Sequence, residues 1–362
     1  MDKKIYDYWL YGLESIGRKT FIKLKENGMD GEMLYHCKEK DIPSFLSEKQ
    51  KTILLKEKKK SMEMLLREYE RLSRDGIFMT VLGDENYPKK LYEIPDKPAV
   101  LFYKGILPKE IKRTIAIIGA RNCSGYGKTV AEQFAAYFAK QGIGVISGMA
   151  LGIDGYAQKA ALKVQGFSIG VLGSGVQVCY PRENENLYRD LIQKGCVLSE
   201  FLPYINATAN FFPQRNRIIS GLSDAIIVIE AREKSGTMIT VEMALEQGKE
   251  VYVVPGRITD ELSKGCNRLL AEGANFAISP QKVLESLYGQ QDVIIQEKTQ
   301  DENSPLQNRI LSFLDVTPVH INVLQQKLEN LSLDVLTREL LYLVLEDKVV
   351  QAGNQWYQKR GI

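Results

Sequence analysis

From about residue 78 to 288, short apolar runs alternate with longer segments whose apolar residues recur every three or four positions. The runs are FMTVLG, AVLFYKG, TIAIIGA, IGVISG, FSIGVLGSG, CVLSEF, AIIVIEA, EVYVVPG and NFAIS. Between two of them, KTVAEQFAAYFAKQG puts Val130, Phe134, Tyr137 and Phe138 on one helical face. Continuous β-branched runs separated by amphipathic helices predict a parallel sheet covered on both faces. The expected fold class is α/β: a doubly wound, Rossmann-like domain over 76–288.

The flanks follow other patterns. Residues 1–75 read as Lys/Glu-rich helices with short turns, a SAM-like or helix-hairpin-helix-like module. YGLESIGRKTFIKLKENGM has a turn followed by a basic helix, so Lys19 or Lys23 is a candidate for a DNA-backbone contact. The competing reading, favoured because Gly12 and Gly17 lack tight hairpin spacing, is an interaction module with a solvated basic face. Residues 289–304 are polar and without period, a linker. Residues 305–362 give three helical segments and then two short strands, the order of a winged helix. Its last helical segment, LSLDVLTRELLYLVLED, offers Arg338 against Asp334, Glu339, Glu346 and Asp347. So acidic a face suits protein docking better than reading DNA.

At 362 residues the chain has room for two or three domains, and 44% hydrophobic with 26% charged residues is an ordinary globular balance. No window reaches the ~18 apolar residues of a membrane span, and the N-terminus lacks the layout of a signal peptide, so a cytoplasmic location without membrane contact is expected. The five cysteines are scattered, with no CxxC pair, which argues against disulfides or a zinc ribbon. The only histidines, His36 and His320, lie near the two ends, which removes histidine base chemistry and most metal sites from the centre. No metal, cofactor or catalytic residue is expected. A net charge of +3 is too mild to imply nucleic acid, so any basic patch must come from local clustering.

The unusual residues collect at strand ends, where ligands bind in open parallel sheets. GARNCSGYGKT fails both as a dinucleotide fingerprint, because Arg121 stands where a glycine is needed, and as a Walker A loop, because Asn122 does. What remains is a glycine turn, with Gly119, Arg121 and Ser124 placed to hold a phosphate. SGMALGIDG contributes Ser147 and Gly148, with Asp154 expected to cap the next helix. LGSGV leaves room at Gly173 and Gly175 for a ligand. Lys234, Ser235 and Gly236 open another helix and form a further anion seat.

NFFPQRNRIISGLSD places Arg215, Asn216 and Arg217 in what reads as the first turn of a helix, the end that normally attracts anions. Bound phosphate would offset that charge. Arg217 has a structural alternative, an ion pair with Asp224 or Glu230. Of Phe211 and Phe212, one is expected to be buried and the other, Phe212, free to stack on bases.

GARNCSGYG, SGMALGIDGYAQ, GVLGSGVQVCYPREN, SEFLP, NFFPQRNRIISGLSDAIIVIEA, SGTMITVEMALEQGKEVYVVPG and GCNRLLAEGA together resemble the bacterial DNA-processing protein A (DprA/Smf) family over about 115–278. The resemblance implies a non-enzymatic protein that binds single-stranded DNA and helps load the RecA recombinase in natural transformation or other recombination. It also implies a homodimer through the Rossmann-like domain. A rival resemblance is to phosphoribohydrolases reading PGGxGTxxE, from which SGTMITVE departs: Thr240 stands in the glutamate's place and Glu242 comes two residues late. A third reading is a nucleotide sensor whose winged helix binds duplex DNA.

Overall fold

The computed structural model describes residues 2–59, 62–110, 112–289, 304–328, 331–346 and 348–360. Five helices come first: α1 (Lys4–Tyr11), α2 (Arg18–Glu26), α3 (Gly31–His36), α4 (Glu48–Glu57) and α5 (Met62–Arg74). The middle of the chain then alternates. It runs β1 (Phe78–Val81), β2 (Val100–Gly105), β3 (Thr114–Ile118), α6 (Gly125–Lys140), β4 (Gly144–Ser147), α7 (Ile153–Lys163) and β5 (Ser168–Val171). It continues with α8 (Glu185–Lys194), β6 (Cys196–Ser199), α9 (Phe211–Gly221), β7 (Ala225–Val228) and α10 (Gly236–Glu246). β8 (Glu250–Val253), α11 (Lys264–Ala271), β9 (Asn275–Phe276) and α12 (Pro280–Tyr288) close this part. Every apolar run named above contains a strand.

These strands form one sheet in the order β1-β2-β6-β5-β4-β3-β7-β8-β9. From β6 to β9 all neighbours are parallel, and the winding reverses between β3 and β7. The first edge differs from the all-parallel expectation: β1 pairs antiparallel with β2, and β2 antiparallel with β6. A parallel neighbour needs a crossover helix. Between β1 and β2 the chain has only a short 3₁₀ turn at Lys89–Tyr92, so it returns antiparallel.

Both sheet faces are covered. One packs Ile218 and Ile219 of α9, Val241 of α10 and Leu269 of α11 against Ala116, Ile146 and Ile226. The other packs Phe134 and Phe138 of α6, Ala157 of α7 and Val283 of α12 against Ile115, Val145 and Ile227. The N-terminal helices share a core with the antiparallel edge, where Ile5, Leu10, Phe21 and Leu24 meet Met79, Val100 and Phe102.

After the sheet domain come α13 (Pro305–Ser312), β10 (Val319–His320), α14 (Ile321–Lys327), α15 (Leu333–Leu345), β11 (Val349–Gly353) and β12 (Trp356–Lys359). They pack around Ile310, Leu324, Leu340 and Tyr357, with a three-stranded antiparallel sheet ordered β10-β12-β11. The two-residue strand β10 was not visible in the sequence pattern. The expected linker lies outside the described residues, apart from its two end positions. Among the described residues, no helix is long and apolar enough to cross a membrane, and no group of His, Cys, Asp or Glu is placed to hold a metal ion.

Candidate functional site

The winding reversal between β3 and β7 opens a crevice at the carboxyl ends of the strands, as this topology dictates. A cavity of about 640 Å³ lies there. Its floor and walls include Gly119 and Arg121 after β3, Phe212, Arg215 and Asn216 of α9, and Ser235 and Gly236 at the start of α10. Seven expected residues therefore do converge on one cavity, from segments more than 100 positions apart.

Arg121 is exposed, and its guanidinium sits 5.5 Å from the centroid of the half-buried Phe212 ring. The other ring neighbour of Phe212 is Tyr180, at 5.5 Å between centroids. This is an arginine held against an aromatic face beside an open cavity. Gly173 explains where Phe212 sits: a Cβ added there would meet the ring's Cδ1 at 2.7 Å. Gly173 thus acts as a notch for the ring, and ligand does not approach its backbone. Phe211 departs from expectation. It is half-buried too, stacked on Phe201 with centroids 4.1 Å apart.

α9 begins at Phe211, so Arg215 and Arg217 stand in its second turn and not its first. The apolar run set the expected start too late, because Phe211, Phe212 and Pro213 belong to the helix. Arg215 is buried, and its Nη1 donates to the carbonyls of Gly148, at 2.7 Å, and Val171. Burial lowers its pKa to about 10, with Asp154 opposing the shift and Arg121 adding to it, so it remains a cation at neutral pH. Its guanidinium is anchored to the ends of β4 and β5 while its side chain still borders the cavity.

Arg217 is corrected outright. It is buried, and its Nη2 donates to Glu200, with Nε 3.4 Å from Asp96. Neither expected partner is involved: Asp224 pairs with Lys90 at 2.6 Å, and Glu230 receives Ser124. Two residues along a helix turn about 200° about the axis, so Arg215 and Arg217 face opposite flanks of α9. Only the first reaches the cavity.

Ser124 is also committed elsewhere. Its hydroxyl donates to Glu230 and accepts the Gly127 amide at 3.0 Å, which caps α6. Ser147 is fully buried, with its hydroxyl on the Ile117 carbonyl at 2.7 Å. Gly148 donates its amide to Asp154 at 3.0 Å and gives its carbonyl to Arg215, so both its polar groups are used. Lys234 is exposed but does not line the cavity. Ser235 does line it, although its hydroxyl turns back to the Arg232 carbonyl at 3.0 Å. Gly236, at the start of α10, has open space beside it, and no side chain caps that helix end. The Met238 amide returns to the Ser235 carbonyl at 3.1 Å, which leaves the Gly236 and Thr237 amides for an anion.

Asp154 does not cap α7, whose N-cap is Gly152. It braces the turn after β4, together with Gln158, which takes the Met149 amide at 3.1 Å, and Asn184, which donates to the Met149 and Ala150 carbonyls at 3.0 Å each. Met149 needs that support, because it is a non-glycine residue at φ 54°. Tyr180 lines the cavity and was missed, although an aromatic residue in a Pro-flanked loop after a strand was a usable signal. Gln158, Asn184 and Glu200 had no local signal, since their side-chain partners lie at least 9 residues away. Thr240 lines the cavity, whereas Glu242 is exposed and does not. A glycosidic glutamate is therefore missing from the place where the hydrolase pattern requires one.

This chain belongs to the DNA recombination-mediator protein A family, whose model matches residues 78–288. It is 41% identical over 213 residues to DNA processing protein DprA of Bacillus subtilis, a match that covers 59% of this chain and 72% of that one. The X-ray structure of DprA from Streptococcus pneumoniae superposes with a TM-score of 0.68 at 33% identity, covering 79% of this chain and 98% of that one. DNA processing protein A from Helicobacter pylori, in a structure that describes its single-stranded DNA binding mode, gives a TM-score of 0.53 at 30% identity. That match covers 58% of this chain and 95% of its own.

Proposed function

We propose that this protein binds single-stranded DNA at the central cavity and catalyses no reaction on it. The observation that carries the reading is the Arg121–Phe212 pair on the rim of an open cavity, with the uncapped start of α10 on the same wall. Single strands are gripped by cations and amides along phosphates and by aromatic faces under bases, each stacked base contributing ~1–3 kcal/mol. Arg121 and the α10 amides supply the first, and Phe212 with Tyr180 the second. The single-strand binding described for the Helicobacter pylori relative supports the same ligand.

Among the described residues, the only carboxylate on the cavity wall is that of Asp154, already engaged by the Gly148 amide and facing Arg215. This supports a binding role over phosphoribohydrolase chemistry. We extend the proposal to the cellular role that the family resemblance implies: protecting incoming strands and loading RecA during transformation or recombination, in the cytoplasm, as a homodimer through the α/β domain. The C-terminal unit, with helix–strand–helix–helix–strand–strand order, fits a winged helix, and the acidic residues of α15 favour a protein partner for it over DNA. The test is a gel shift with single-stranded and duplex oligonucleotides across a salt series. Single strands should win with little sequence dependence and lose affinity steeply as salt rises. A preference for duplex, or release of free base from nucleoside monophosphates, would refute the reading.

A further inference from the structure

The two helices that wall the central cavity carry polar groups which the phosphate and stacking contacts above leave unused. Asn216 of α9 is 9% exposed and Thr240 of α10 is 3% exposed, and both line the cavity. The Asn216 amide oxygen accepts from Arg215 Nε at 3.3 Å. An arginine only donates, so this contact sets which way the amide lies and leaves its NH2 for another partner. Among the described residues, nothing accepts from that NH2 and nothing pairs with the Thr240 hydroxyl, yet neither group is sealed within the protein. Both open on the cavity that they line. A polar side chain so largely buried and without a partner is unfavourable, and a ligand in the cavity would supply one.

We propose that Asn216 and Thr240 hold the pairing edge of one base of the bound strand. The inference rests on the single-strand reading above and adds the contact that selects unpaired bases. Residues four apart on a helix share a face, so Phe212 and Asn216 stand one turn apart on the same side of α9. In the same way Thr240 lies one turn into α10 from its open start at Gly236. The cavity is therefore graded. Its mouth holds the exposed Arg121 and the α10 amides, which suit phosphate. Below them comes the Phe212 ring, and deepest lie a neutral amide and a hydroxyl. A base whose phosphate stays at the mouth leads with the edge farthest from its sugar, and that is the edge used in base pairing.

Such a pair of groups is tolerant in one respect and strict in another. Every base has an acceptor on its pairing edge for the Asn216 NH2, and the Thr240 hydroxyl donates or accepts as the neighbouring position requires. Sequence therefore matters little. In a duplex that edge is already bonded to the opposite strand, so the contact favours single strands over duplex, which charge and amides alone do not.

The test uses two strands of about six nucleotides, near the low end of single-strand site sizes. One is all thymine, and in the other every thymine is replaced by difluorotoluene, which has the same shape and stacks but forms no comparable hydrogen bonds. Wild type should bind the thymine strand at least about fivefold more tightly, the worth of one neutral hydrogen bond. Thr240→Val and Asn216→Ser should each shrink that ratio, and Thr240→Val should leave the affinity for the difluorotoluene strand unchanged. Because the Thr240 hydroxyl has no protein partner, Thr240→Val should also melt no lower than wild type, whereas loss of a hydroxyl kept for the fold would lower the melting temperature. Equal binding of the two strands by wild type, or a ratio that survives both substitutions, overturns the edge contact and leaves the single-strand reading standing. Wild type that binds neither strand overturns both.

Discussion

Arg217 and Glu200 form a buried ion pair, each side chain 5% exposed, that ties α9 to the end of β6. Arg18 of α2 approaches the same carboxylate at 3.7 Å and binds Asp96 at 2.5 Å, so the pair also holds the N-terminal helices against the sheet domain. Removing one partner of a buried pair typically destabilises by about 3–5 kcal/mol, because the other charge is left unpaired. Arg217→Ala should therefore lower the denaturant midpoint strongly, while replacing Arg217 and Glu200 together by Met and Leu should recover much of the loss. A single variant as stable as wild type would show that the pair does not hold these elements together.

Arg121→Ala should act on binding alone. The side chain is exposed and lies against the Phe212 ring, so stability should change by less than about 0.5 kcal/mol. Affinity for single strands should fall alike across sequences, with the salt slope reduced by about 0.7. Fluorescence anisotropy at three salt concentrations checks both. Equal affinity in variant and wild type would remove Arg121 from the interface.

The two phenylalanines should separate in the same assay. Phe212→Leu removes the ring that borders the cavity and should weaken binding by ~1–3 kcal/mol if one base stacks on it. Phe211→Leu loses instead the stack on Phe201 at 4.1 Å and should lower thermal stability more than it lowers central-cavity affinity, read with a short strand. The reverse order of effects would assign the stacking role to Phe211.

How far the sequence foretold this site depends on the kind of signal each residue carries. Strand positions were legible because a run such as TIAIIGA is apolar on both faces, and only a covered strand tolerates that. Pairing direction was not, since FMTVLG and AVLFYKG read alike whether parallel or antiparallel. Arg121 and Phe212 were legible as misfits: an arginine where a phosphate loop has glycine, and an aromatic beside a proline. The neighbouring Arg217 looked like the same signal. Both flanks of α9 are buried, by Ile218, Ile219 and Leu222, so no polar face marked which arginine pointed outward. Ser124 and Ser147 misled for a related reason. A hydroxyl at a strand end serves a ligand or a backbone equally well, and the deciding partners, Glu230 and Ile117, lie 106 and 30 residues away.

Gly173→Ala tests the notch beneath Phe212. The added methyl would lie 2.7 Å from the ring, so the ring must shift toward Tyr180 and the cavity, and overpacking of this kind typically destabilises by about 1–3 kcal/mol. Single-strand affinity should fall together with stability. Combining Gly173→Ala with Phe212→Leu should restore most of the stability and none of the affinity, because the smaller side chain yields space but offers no ring. Additive stability losses in the double variant would show that the two residues do not share that space.

Asp154 gives the pH dependence its sign. Burial lifts its pKa above the ordinary 3.8, against the pull of Arg215 and the Gly148 amide. Below about pH 4 the carboxyl is protonated both folded and unfolded. As pH rises the unfolded chain releases the proton first, while the folded chain holds it until its own higher pKa is passed. Folded stability is therefore lost progressively across that window and levels off above it. Asp154→Asn keeps an oxygen for the Gly148 amide and has no proton to lose. The stability of wild type relative to the variant should be greatest in mild acid and should shrink as the pH is raised toward neutrality. Denaturant unfolding of both proteins at several pH values measures that gap. A gap that instead widens in favour of wild type as pH rises would mean that Arg215 holds Asp154 ionised and stabilising, with its pKa depressed by the pair.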